Sequence, residues 1–198
     1  MERRHLGHLY TPQIQICFIG PRSVTIAGGM HNVLSIDIED WYQPLTPSYE
    51  WKRLGNRVEK NTCRLLEILA QHKTKATFFV SAHIAEKNPG LIQKIQKENH
   101  EIASHGYAHN KIYDLIPEQF KTDLKKSLGI LQDVTGLKVI GFRAPWFSIR
   151  KKENWIFDIL IDNEIQYDSS IFPVKNHIYG DPKAQRWIHI IHRQNGQS

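Results

Sequence analysis

The chain has 198 residues, of which 40% are hydrophobic and 10% aromatic, as expected for one globular domain rather than a disordered chain. Its formal net charge is +6, but the basic residues are spread along the sequence without a run or a basic-aromatic stripe, which argues against nucleic-acid binding. The two cysteines exclude a disulfide framework and a cysteine-based zinc site. Because no apolar run could span a membrane and no export signal is recognisable, we expect a cytoplasmic protein.

The first 29 residues lack clean periodicity, and Met30 immediately precedes a strand pattern. One interpretation is that the natural start is Met30. We therefore predict that residues 1–29 are an N-terminal extension without a fold of its own, and that residues 30–198 form a single domain.

From Val33 onward, strand patterns alternate with helix patterns. The helices are predicted from apolar side chains at helical spacing, with Pro89 opening one helix and Gly136 ending another. The predicted helices cover 57–72, 89–100, 117–136 and 152–163. The predicted strands cover 33–38, 76–80, 101–105, 138–142, 164–170 and 187–191. This alternation indicates parallel β-α units, and so an α/β fold with either a barrel or an open sheet.

Polar residues recur where these strands end. An acidic cluster at 37–40 follows the first strand, His105 ends the third, Arg143 follows the fourth and Asp168 lies near the end of the fifth. Because active sites in such folds collect at the carboxyl ends of the strands, we expect these side chains to meet in one site.

The sequence SHGYAH places His105 and His109 four residues apart, and Gly106 favours a loop over a helix between them. Two neutral imidazoles and one carboxylate are a common catalytic zinc shell. The alternative is that both are ordinary loop histidines. The acidic cluster on a neighbouring strand favours the metal site.

The cluster contains three carboxylates, those of Asp37, Glu39 and Asp40, which is too many for one ligand role. One would coordinate the metal and another would act as general base on a water that the metal acidifies. The alternative is an acidic turn that caps a helix.

Three further residues could complete a hydrolytic site. Arg143 could hold the base ionised and oriented, and the backbone N–H of Trp146 could stabilise an oxyanion. Asp168 could orient a general-acid histidine. The alternatives are a surface ion pair for Arg143, a core position for Trp146 and a turn cap for Asp168. A metal-activated water, a base and an oxyanion donor together suit hydrolysis of an amide or ester.

In chain order, these segments resemble the motifs of the polysaccharide deacetylases, also called carbohydrate esterase family 4 or the NodB homology domain. The resemblance covers residues 33 to about 182 and rests on SIDIEDW, ATFFV, EIASHGYAH, GFRAPWFSI and YDSSIFP. The DIEDW form, with YDSSIFPVKNHIYGDP, is most similar to a subgroup encoded with bacterial exopolysaccharide and exosortase loci.

The resemblance implies a distorted (β/α)7-type barrel and a divalent metal, usually zinc, held by an aspartate and two histidines. It implies removal of N-acetyl groups from an amino-sugar polysaccharide. Carried over by position, Asp37 is the base, His105 and His109 are ligands, Arg143 orients the base and Trp146 supplies the oxyanion N–H.

Two departures from the family pattern matter. The family's first motif has adjacent aspartates, whereas Ile38 follows Asp37 here, so the carboxylate ligand is Glu39 or Asp40. The alternative register makes Glu39 the base and Asp40 the ligand. The family's last motif, which brings a general-acid histidine, is not found before Ser198. We therefore expect a C-terminally truncated chain whose barrel is incomplete at that end.

The late histidines do not replace the missing motif. His189 alternates with apolar residues and is expected to be a strand residue. The functional alternatives are an allantoinase-like hydrolase of another carbon–nitrogen bond and a non-catalytic fragment that binds sugar. The oligomeric state is not predictable from the sequence.

Overall fold

A computed structural model of the protein describes residues 17–19, 33–46, 48–174 and 179–191. Seven strands of these residues form one sheet, in the order β2-β3-β4-β5-β6-β1-β7. The strands are β1 Cys17–Ile19, β2 Ser35–Ile38, β3 Thr77–Val80, β4 Glu101–Ser104, β5 Gly141–Phe142, β6 Tyr167–Asp168 and β7 Ile190–Ile191. Strands β2 to β6 are parallel, and β1 pairs antiparallel to β6 and parallel to β7. The predicted α/β fold with parallel strands is confirmed.

Five α-helices connect the parallel strands. They are α1 Val58–Gln71, α2 Ala82–Lys87, α3 Pro89–Lys97, α4 Pro117–Thr135 and α5 Trp155–Asp162. Four of them match predicted helices, and Gly136 ends α4 in the left-handed conformation, with φ 68°. Helix α2 was not predicted, because its first four residues are all buried and it therefore lacks an amphipathic pattern.

Three predicted strands are reduced to two residues each. Of the pattern at 138–142, only Gly141–Phe142 pairs as β5, and of the pattern at 164–170, only Tyr167–Asp168 pairs as β6. Of the pattern at 187–191, only Ile190–Ile191 pairs as β7. Strand β6 starts late because Glu164 has φ 60°, a left-handed conformation that extended pairing excludes.

The two faces of the sheet have different surroundings. Phe78 and Phe142 belong to the main core, together with apolar side chains of all five helices. Phe79, which alternates with Phe78, points to the opposite face and packs with Ala103 and Tyr167. Arg143, which follows β5, also lies on this second face, with Cζ 4.0 Å from the centroid of the Phe79 ring.

The ends of the chain are described only in part. Cys17–Ile19 lies within the predicted extension and pairs with β6. The rest of residues 1–29 lies outside the described residues, so the predicted division at Met30 stays a prediction. In the described ranges, no helix is long and apolar enough to cross a membrane.

Gly141 lies where the Tyr167 ring crosses β5, and a Cβ at this position would overlap with that ring. We expect Gly141→Ala to lower the free energy of unfolding by about 1–3 kcal/mol, because the buried ring must move. Urea denaturation measures this. The control is Gly129→Ala in α4, where a Cβ meets no atom within 4 Å. This variant should be neutral or slightly stabilised. Equal stability of the two variants would contradict the proposed close approach.

Candidate metal centre and active site

The loops after β2 and β4 bring three predicted site residues together. Ligand atoms of Glu39, His105 and His109 all lie within 4.8 Å of one another. Both histidines are buried, and Glu39 is partly exposed. Strands β2 and β4 both pair with β3 in parallel register, so their carboxyl ends lie on either side of the carboxyl end of β3. The two histidines and one of the three clustered carboxylates therefore form a single group.

Two atoms of this group lack hydrogen-bond partners. Oε2 of Glu39 contacts Nε2 of His109 and lies 3.9 Å from Nε2 of His105, yet it makes no hydrogen bond to any described residue. The same holds for Nδ1 of His109. Buried polar atoms normally have a partner. A cation beside the carboxylate oxygen would supply the partner that this oxygen lacks, so the group fits a metal ion.

His105 has the tautomer that metal binding requires. Its Nδ1 lies 2.8 Å from the backbone oxygen of Arg143, which can only accept a hydrogen bond. Nδ1 therefore carries the proton, and the lone pair of Nε2 faces the carboxylates. Burial lowers the pKa of His105, although the Asp37 carboxylate opposes the shift. The ring is therefore neutral at pH 7, as a metal ligand must be.

The structure does not bring Asp40 to this group. Its buried carboxylate accepts hydrogen bonds from the backbone N–H groups of Trp41 and Arg57, both at 2.9 Å, and of Val58 at 3.4 Å. Asp40 thus satisfies donors at the start of α1, where a negative charge also complements the helix dipole. Of the two carboxylates left open as ligand by the sequence, Glu39 is the one beside the histidines.

Arg143 holds Asp37 beside the group. Its Nη1 donates to Oδ1 of Asp37 at 2.7 Å, and Oδ2 of Asp37 lies 4.0 Å from Nε2 of His105. Nη2 of Arg143 donates to the hydroxyls of Ser35 and Ser169, both at 2.8 Å. The guanidinium is only 4% exposed, so Arg143 is a buried anchor and the surface ion-pair alternative does not apply.

The loop that carries the histidines is fixed by Asp123, which lies on α4. The Asp123 carboxylate accepts the N–H groups of Tyr107 at 2.8 Å and Ala108 at 3.1 Å. Gly106 has φ 69°, and a Cβ there would lie 3.0 Å from Oδ2 of Asp123. Asp123 was not predicted as a site residue, because nothing in a single acidic residue on an amphipathic helix distinguishes it from surface charge.

Trp146 lies beside His109, in the short 3-10 segment Pro145–Phe147. Its ring centroid is 6.0 Å from that of His109. Trp146 has φ 62° and His109 has φ 53°, both in the left-handed region that non-glycine residues rarely adopt. Such strained backbone is concentrated at functional sites, where the surrounding structure enforces it.

Asp168 is fully buried and supports the segment that carries Trp146. It accepts hydrogen bonds from the N–H of Ser170 at 3.0 Å and from its hydroxyl at 2.5 Å. The same hydroxyl accepts the N–H of Ala144 at 2.8 Å. No histidine in the described part of the chain hydrogen-bonds to Asp168. The serines of YDSS were not singled out from the sequence, although they directly follow Asp168 at a strand end.

A family model of the polysaccharide deacetylases matches residues 50–156, more than half of the chain. The chain belongs to the polysaccharide deacetylase family. The matched range contains His105, His109, Arg143 and Trp146. The acidic segment 37–40 and Asp168 lie outside it.

Similar proteins agree with this family. A peptidoglycan deacetylase of Helicobacter pylori is 29% identical over 108 residues, which are 54% of this chain and 36% of that protein. A peptidoglycan-N-acetylglucosamine deacetylase of Bacillus cereus is 30% identical over 92 residues, 46% of this chain and 34% of that protein. The chain thus spans about a third of the length of these relatives.

Solved structures show the same fold. A Mycobacterium smegmatis protein described as a polysaccharide deacetylase aligns with a TM-score of 0.58 at 26% identity. The alignment covers 67% of this chain and 48% of that one. The predicted family is therefore confirmed, whereas the exopolysaccharide subgroup and the C-terminal truncation stay predictions.

Burial raises the pKa of Asp168 from 3.8 to about 6, against the opposing hydrogen bonds from Ser170 and the charge of Arg143. The folded protein therefore holds this proton more tightly than the unfolded chain does. The resulting stabilisation is complete below about pH 4 and is lost as the pH rises through 6. We expect Asp168→Asn to gain stability relative to wild type across this window, as measured by urea denaturation at several pH values. The control is the exposed Asp114→Asn. A pH-independent difference for Asp168→Asn would contradict the shift.

Proposed function

We propose that this protein is a metal-dependent deacetylase that removes N-acetyl groups from amino sugars of a polysaccharide. The observation that carries the proposal is the buried group of Glu39, His105 and His109 beside a carboxylate that Arg143 holds in place. The names of the two relatives, which are deacetylases of peptidoglycan, support the same reaction. For the polymer, the DIEDW motif favours an exopolysaccharide.

Glu39, His105 and His109 would hold the metal. One carboxylate and two imidazoles are ligands that suit zinc, which is the metal we propose. When bound, the metal lowers the pKa of a water molecule and polarises the carbonyl oxygen of the acetamide. Because Asp40 is engaged at the start of α1, its carboxylate takes no part in this set.

Asp37 would act as the general base. The hydrogen bond from Arg143 occupies Oδ1 of Asp37 and orients the carboxylate. Oδ2 faces His105 Nε2 at 4.0 Å and can accept the proton of the attacking water. Asp37 is thus adjacent to the metal ligands without being one of them.

The backbone N–H of Trp146 would stabilise the oxyanion that forms as water adds to the acetamide. Asp168 would be a positioning residue, because it holds Ser170 and, through it, Ala144 at the start of the Trp146 segment. We assign no general acid, since no histidine in the described part of the chain hydrogen-bonds to Asp168.

A second candidate function follows from the surroundings of Asp168, to which no histidine in the described part of the chain hydrogen-bonds. A chain that binds the metal and the saccharide without transferring a proton to the leaving amine would be a non-catalytic sugar-binding protein. Both functions require the same metal group, and acetate release distinguishes them.

Metal content and acetate release test the proposal. Wild type should bind one equivalent of zinc and release acetate from N-acetylglucosamine oligomers. His105→Ala and Glu39→Gln should lose stoichiometric zinc, because each removes or weakens one of three ligands. Asp37→Asn should keep zinc and lose about 10²–10⁴-fold in kcat, the usual contribution of a general base.

The matched control is Asp40→Asn, which alters the neighbouring carboxylate. We expect it to keep zinc and to lose stability, since an amide accepts the N–H groups of Arg57 and Val58 less well than a carboxylate does. Zinc lost from Asp40→Asn but retained by Glu39→Gln would refute the ligand assignment. Zinc binding without acetate release would favour the sugar-binding protein.

A further inference from the structure

A cleft of about 310 Å³ lies between β2 and α1 and shares two residues with the active site. Asp37 and Glu39 form part of its wall, and Leu65 lies on its apolar side. Its mouth is lined by three exposed residues, Trp41, Arg57 and Asn61. The volume lies at the lower end of the range of ligand pockets, ~300–1,000 Å³. Neither the metal group nor the general base explains the side chains at the mouth.

The Trp41 ring is exposed and yet held in place. It is 42% exposed, and its Nε1–H donates to the backbone oxygen of Gly55 at 3.0 Å. The Tyr42 ring packs edge-on at 5.8 Å between centroids. An exposed tryptophan fixed by its polar edge is a preformed flat apolar surface, which needs little ordering when a ligand packs against it.

The guanidinium of Arg57 lies over this ring, with Cζ 5.4 Å from the ring centroid. Among the described residues, no carboxylate lies within ion-pair distance of its guanidinium. Its N–H donors, and the side-chain amide of Asn61, are therefore available to hydroxyl and carbonyl oxygens of a ligand. The cleft mouth combines a flat apolar face with hydrogen-bonding groups at its sides.

Asp40 fixes this arrangement. Its carboxylate accepts the N–H groups of both Trp41 and Arg57, so one buried side chain sets the relative position of the two. The residue next to it, Glu39, belongs to the metal group. The cleft mouth is therefore held at a fixed distance from the reaction site.

We propose that this cleft is a saccharide subsite that binds the sugar next to the one that is deacetylated. A pyranose ring has a face of C–H bonds that packs on an aromatic ring and a rim of hydroxyls that hydrogen-bond at the sides, which matches a cleft lined by Trp41, Arg57 and Asn61. The inference rests on the proposed function, since it names a second binding position for the same polymer.

Calorimetric titration of the metal-free protein with monomeric and tetrameric N-acetylglucosamine tests this subsite. We expect Trp41→Ala to weaken tetramer binding about fivefold to tenfold, and monomer binding less, because only the longer ligand fills both positions. Asn61→Ala should act in the same direction, and it substitutes an exposed helix residue, so folding is not at risk. Trp41→Phe should recover part of the affinity.

The matched control is Tyr49→Ala. Tyr49 is an aromatic residue in the segment after Trp41 and is 78% exposed, but it does not line the cleft. The Tyr49→Ala variant should bind the tetramer with wild-type affinity. Tetramer affinity that is unchanged in Trp41→Ala and Asn61→Ala would overturn the subsite and leave the proposed deacetylation intact.

The remaining outcomes are also decisive. Tetramer binding that depends on Trp41, without acetate release by wild type, would support the subsite and refute the catalytic function. A wild-type protein that binds no saccharide would overturn the subsite. Sedimentation of the same samples would then show whether the cleft and the adjacent edge of β2 instead receive a strand of a second copy.

Discussion

The buried guanidinium of Arg143 is the constraint on which the site depends. A cation that is only 4% exposed must be paired and fully hydrogen-bonded, because an isolated buried charge costs several kcal/mol. Asp37 supplies the opposite charge, and the hydroxyl of Ser35 and the hydroxyl and backbone oxygen of Ser169 accept further hydrogen bonds. These partners lie on β2 and directly after β6, at two distant places in the sheet. Satisfying one side chain therefore fixes the position of both strand ends.

The backbone of Arg143 extends the same constraint to the histidines. Its N–H donates to the backbone oxygen of Ser104 at 2.9 Å, and its carbonyl accepts the Nδ1–H of His105 at 2.8 Å. One residue thus orients the general base through its side chain and selects the tautomer of a metal ligand through its main chain. Asp123 fixes the rest of the histidine loop by accepting the N–H groups of Tyr107 and Ala108.

The sequence predicted the order of strands and helices because apolar periodicity and glycine or proline signals are local. It could not give the length of β5 and β6, which depends on backbone conformation after the preceding helix. Helix α2 escaped prediction because tertiary burial covers Ala82, His83, Ile84 and Ala85 alike. The histidines and Arg143 were predictable from their positions at strand ends. The serines that bind Arg143 were not predictable, since a single serine in a strand or after one gives no sign of a role in a site.

The separate roles of the three clustered carboxylates could be predicted from the sequence only in part. Alternation along β2 places Asp37 and Glu39 on one face and Asp40 on the other, which is consistent with the observed arrangement. Whether Glu39, just beyond the strand, keeps this alternation depends on the turn at 39–43 and on α1, whose start binds Asp40. The adjacent carboxylates 39 and 40 therefore serve different purposes, one at the metal group and one at the helix that borders the saccharide cleft.

X-ray absorption spectroscopy of the protein loaded with one equivalent of zinc tests the central claim most directly. The account predicts a first shell of nitrogen and oxygen at about 2.0–2.2 Å, with the multiple-scattering signature of two imidazole rings. In His105→Ala that signature should fall to one ring or the metal should be lost. A first shell without imidazole, or one that is unchanged in His105→Ala, would contradict the metal centre described above.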